Sequence, residues 1–136
     1  MNRELRDKFY GQTVEEWISK LPGELPLDAV GLWQIVSFGR EGFELSGEKL
    51  VDVVRRGIKE LLARGAKPVV GAMDGVHVWT TVNCGNNVES MSEAIIEEWR
   101  NSGRDPDGGD VWFALPHIFN AVHPPDGPRR QKDDLS

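Results

Sequence analysis

Between Ser46 and Val82 the hydrophobic pattern changes period once, and that change limits the folds open to this chain. Leu50, Val53, Val54, Ile58, Leu61 and Leu62 fall at i, i+3, i+4, i+8, i+11 and i+12, a single stripe on an α-helix. Ser46 stands where an N-cap belongs, Arg64 complements the dipole in the last turn, and Gly65 suits the C′ position. After Gly65 the period drops to two. Lys67–Gly71 and Val76–Val82 read as strands, and Met73-Asp74-Gly75 between them carries the Asp-Gly signal of a tight hairpin. An extended loop between parallel strands is the alternative. A long amphipathic helix followed at once by alternating strands calls for a helix packed on a sheet.

The flanking sequence supplies further short elements. Thr13 and Glu16 form a capping box ahead of Val14, Trp17, Ile18 and Leu21, and Pro22-Gly23 closes that helix. A second helix is expected from Pro26 and Asp28 through Ala29, Leu32, Trp33 and Val36 to about Gly39. Phe43 and Leu45 should turn inward from the loop that follows. Ser90 with Glu93 offers a capping box for a fourth helix, with Val88, Met91, Ile95 and Trp99 on one face and an end near Gly103. Val111–Leu115 is expected as a strand, because a helix begun at Asp110 would meet Pro116 in its interior. His117–Val122 suggests a helical turn, and 123–136 reads as a mobile tail. The expected order is α-α-α-β-β-α-β: one α+β domain over 1–122, about four helices on a two- to three-stranded sheet.

Composition narrows function mainly by exclusion. The longest apolar run, Val111–Leu115, is far too short to span a bilayer, so no membrane partner is expected. The charged N-terminus lacks a signal-peptide core, and the one cysteine cannot form an internal disulfide; cytoplasmic residence is the expectation. The formal charge of −6 is uneven. Residues 21–48 carry a net −4, residues 49–88 a net +3 and residues 89–110 a net −5. That layout argues against nucleic-acid binding, which wants a clustered positive footprint. The acidic segments could steer a basic partner or serve solubility alone.

Four chemistries can be tested against the residues. Cys84 and His77, if on one strand, lie roughly 23 Å apart at ~3.3 Å per residue and on opposite faces, which suits no nucleophile–base pair. Asp105, Asp107 and Asp110 resemble a calcium loop, but Pro116 stands where the closing Glu would be; His117 and His123 lack helical zinc spacing. No metal and no cofactor is therefore expected. Gly71–Gly75 follows a strand but leads into another strand, not into the helix N-terminus that a phosphate loop needs. The adjacent carboxylates Glu15/Glu16 and Glu97/Glu98 do not face one another on a helix.

Two surfaces remain. In Val76–Val82 the even positions are Val, Val, Thr and Val, while His77, Trp79 and Thr81 share the other face. That face reads either as a ligand or partner surface or as one lying beneath a helix. Lys49, Arg56 and Lys59 lie opposite the apolar stripe of the long helix and read as a solvated face. The five tryptophans fall one to an element, with only Trp79 among polar neighbours. The expectation is a non-enzymatic protein-interaction module, self-associating or binding a basic protein. The alternative is a small enzyme or ligand-binding domain using Asp74, His77, Trp79 and Thr81 beside the Gly71–Gly75 turn.

Overall fold

The 3.6-residue stripe becomes helix α3, Gly47–Ala63, in a computed structural model that describes residues 5–123. Val54, Ile58 and Leu61 on that stripe are wholly buried. Each such side chain contributes about 1.5–3 kcal/mol of hydrophobic stabilisation. Before α3 come α1 (Val14–Lys20), strand β1 (Val30–Gly31) and α2 (Leu32–Ser37). After it come β2 (Lys67–Gly71), β3 (Trp79–Thr81), α4 (Val88–Ser102), β4 (Trp112–Ala114) and the single turn α5 (Pro116–Phe119).

The sheet runs β1-β4-β2-β3 and is antiparallel throughout. Directly paired residues share a face, so the register assigns the two faces. Val30, Phe113, Pro68, Val70 and Thr80 lie on one, and Gly31, Trp112, Val69, Thr81, Gly71 and Trp79 on the other. The first face joins the main core, where Phe113 and Val30 pack with residues of α1, α2, α3 and α4. The second holds a smaller cluster of Ala29, Val69 and Ala114, closed over by Trp79, Trp112, Ile118 and Phe119.

The α+β class, the long third helix and the β2–β3 hairpin agree with the sequence reading, and the parallel alternative falls away. Four details differ. A fourth strand exists, because Val30-Gly31 pairs with Trp112-Phe113 and the second helix begins only at Leu32. Gly31 is required there: a Cβ at this position would meet Trp33 Cδ1 at 2.8 Å and Nε1 at 2.9 Å. The second helix also runs on past Gly39 as a π-helical turn, Phe38–Gly42. The second predicted strand is shorter than Val76–Val82, since residues 76–78 pair with 121–123 instead of β2. Val78 N donates to Ala121 O, and His123 N to Val76 O. The N-cap of α4 is Asn87, whose side chain accepts from Ser90 N, so the Ser90–Glu93 box does not form. His123 is thus paired in the fold, while the rest of the expected tail lies outside the described residues.

The tryptophans do cluster. Trp79 and Trp112 have ring centroids 5.5 Å apart, and Trp112 and Trp33 6.5 Å, giving a row along the second sheet face. Trp112 Nε1 donates to Gly108 O, whereas Trp33 Nε1 is buried with no acceptor among the described residues. Pattern reading treats strands singly and so cannot see β4 set Trp112 between partners from two other elements.

The uneven charge resolves into internal pairing. Arg55 and Lys59 of α3 pair with Glu93 and Glu89 of α4, and Glu48 pairs back to Arg100. Arg56 reaches Glu15 of α1 at 2.7 Å. Hydrogen bonding to Glu93 raises the Arg55 guanidinium above its ordinary value, against some desolvation.

Two substitutions test this packing. Gly31→Ala should cost about 1–3 kcal/mol by overpacking, while Gly23→Ala, with open space around its Cβ, should cost nothing measurable in urea unfolding. Glu93→Gln should cost about 0.5–1 kcal/mol, a loss that shrinks as salt is added. An undiminished loss in high salt would show that the pair does not act electrostatically.

Candidate functional site

The residues singled out in the sequence fall into two places. Asp74 and His77 meet at the tip of the β2–β3 hairpin. Asp74 Oδ1 accepts from the backbone N–H groups of Val76 and His77, an Asx turn that Gly75 completes with φ +77°. His77 Nδ1 donates to Asp74 Oδ2 at 2.7 Å. The His77 hydrogen bond first, then the two backbone donors, hold the Asp74 carboxyl well below its usual range. Both side chains are about half exposed. Met73, Val76 and Val122 expose apolar surface on the same hairpin and its partner segment.

Trp79 and Thr81 lie further along, on the second sheet face. Trp79 is half-buried against Trp112, and α5 packs close to β3. The polar surroundings expected for Trp79 are instead apolar. His117 of α5 donates through Nε2 to Pro26 O, which commits that nitrogen to the backbone.

Other candidate residues are engaged elsewhere. Arg40 grips Asp105 through two hydrogen bonds of 2.7 and 2.8 Å, and Arg104 holds both oxygens of Asp110. Asp107 Oδ1 accepts from Gly109 N. The acidic Gly-rich loop is therefore knitted by guanidinium groups and its own backbone. Cys84 is half-buried, and its thiol is pushed up by burial and then by the charge of Glu98, the reverse of an activated nucleophile.

A further surface escaped the sequence reading. Asp7 is buried, and its carboxylate accepts from the N–H groups of Phe9, Tyr10 and Gln12 at 2.6–2.9 Å. Burial alone would raise its pKa, but backbone donors led by Tyr10 outweigh that and lower it. Lys8 N donates to Gly42 O, Arg6 bridges to Thr13, and Gly11 turns the loop with φ +74°. The loop so fixed displays Phe9 and Tyr10, 53% and 77% exposed. Both rings lie on Phe38, which stacks in turn on Trp17 at 5.0 Å, so an aromatic series runs from core to surface. Asp-Lys-Phe-Tyr-Gly has turn composition, but burial of the Asp7 carboxylate leaves no periodic trace.

No protein-family model matches the chain, and no similar protein was found among curated proteins or among solved structures.

Acid tests the two Asp-organised loops. A group with a depressed native pKa contributes stability that is complete above its unfolded value and lost as pH falls through the native one. Asp7 and Asp74 should therefore titrate below the ordinary 3.8. Amides of Phe9, Tyr10, Val76 and His77 should lose exchange protection in that acid range and not at neutral pH. Carboxyl-carbon NMR titration reads both; a midpoint at the ordinary value would remove the proposed hydrogen bonding for that loop.

Proposed function

We propose that this protein is a non-enzymatic interaction module that docks a basic protein partner on the Phe9–Tyr10 platform. The observation that carries the reading is the fixed display of two aromatic side chains by the buried Asp7 carboxylate. Aromatic residues are enriched at interfaces, and tyrosine is prominent among binding hot spots. Preorganisation matters as much as residue type, because a loop already ordered loses less entropy on binding. Single exposed apolar residues need no explanation, but two adjacent rings held on a third form a patch.

Charge supports a basic partner. Many cations of α3 are neutralised internally, whereas the carboxylates of Glu24, Glu41, Glu97 and Glu98 have no cationic partner among the described residues. With a net charge of −6, the surface steers cationic proteins toward it.

The test compares wild type with the double variant Phe9→Ser/Tyr10→Ser in affinity capture from lysate, with sedimentation run alongside. A basic protein held by wild type, released by salt and lost with the variant at unchanged Tm supports the reading. Matching capture profiles overturn it, as does concentration-dependent self-association that the variant retains.

A further inference from the structure

A cavity of about 260 Å³ lies between the core-facing side of β2–β3, helix α4 and the 104–111 loop. None of its lining residues belongs to the Phe9–Tyr10 platform. Val70, Val82, Ile95 and Val111 form apolar walls, and Trp99 adds an aromatic surface. The volume falls just below the ~300–1,000 Å³ of drug-sized sites, so the space suits a ligand about the size of one ring with a short side arm.

Its polar lining discriminates among ligands. Arg104 is spent on Asp110, with Asp107 also within 3.8 Å, and so offers no free cation to an anionic guest. The single proton of the Ser102 hydroxyl is committed to a backbone carbonyl, that of Trp99 at 2.7 Å or of Arg104 at 3.0 Å. What remains is the Glu98 carboxylate, exposed at the rim and unpaired among the described residues, together with the half-buried Cys84 thiol. Two carboxylates, Glu98 and Asp110, thus line the space against one guanidinium. An ionised carboxylate accepts hydrogen bonds and donates none.

We propose that this cavity binds a small organic cation, a protonated primary amine on a compact apolar body, with Glu98 as its counter-charge and Trp99 as its aromatic wall. A cation beside an indole gains further electrostatic attraction. Glu98 and Cys84 line the same cavity, and the Cys84 thiol is pushed up by burial first and by the Glu98 charge second, in keeping with a space that disfavours a second negative charge.

The probes are 2-phenylethylamine, 2-phenylethanol and 3-phenylpropanoate, matched in shape and differing in charge, titrated into ¹⁵N-labelled protein. The amine should move the amides of Cys84, Glu98, Trp99 and Val111, and the carboxylate should leave them in place. Glu98→Gln should weaken the amine about fivefold, in keeping with one partly exposed charge pair, without changing the response to the alcohol. Val82→Phe, which fills the space, should remove the amine response while Phe9→Ser/Tyr10→Ser keeps it. Equal binding of amine and carboxylate, an unchanged amine affinity in Glu98→Gln, or amine shifts confined to other residues would each overturn the proposal.

Discussion

The structure depends on the contact between helix α3 and the sheet–helix core around Phe113. Leu50, Val54, Ile58 and Leu61 are buried to within a percent, and Phe113 from β4 is fully enclosed in the same cluster. Apart from α4, with fifteen residues, the other elements are too short to stand alone: α1 and α2 have seven and six residues, and the strands two to five. Isolated helices of that length are marginal in water, as is a lone hairpin. They persist because each lays an apolar side chain against α3 or against the sheet that α3 covers. The long helix is thus the common surface on which short pieces assemble.

Electrostatics refines this assembly more than it drives it. Three ion pairs join α3 to α4, at 2.7, 2.9 and 2.6 Å, and a fourth ties α3 to α1. Exposed pairs of this kind contribute little singly. Together they favour one alignment of the two helices, since sliding α4 by a turn would bring unlike pairs out of register. The acid–base–acid pattern along the chain is therefore in large part the trace of helix pairing.

How much of this was legible depended on whether the cause was local. The stripe of α3, the Thr13–Glu16 box and the interruption at Pro116 are properties of neighbouring residues, and the structure keeps them. Strand β1 is two residues long and exists only because β4 returns beside it, so Val30-Gly31 read as part of a helix. The tryptophan row has the same origin, with three elements needed to bring Trp33, Trp112 and Trp79 together. Alternation did place Trp79 and Thr81 on a common face, but could not tell that Trp112 and α5 would pack there. The Phe9–Tyr10 display was hidden because it turns on where a carboxylate is buried.

The sheet's margins limit how another chain could pair with it. Its outer strands, β1 and β3, contain only two and three residues. A short border offers few vacant main-chain donors and acceptors, which guards against edge-to-edge aggregation. The same brevity denies an incoming peptide the template that strand addition requires. A contact with another chain at these margins would have to be made by side chains, which can change at the surface without disturbing the hydrogen-bonded frame beneath.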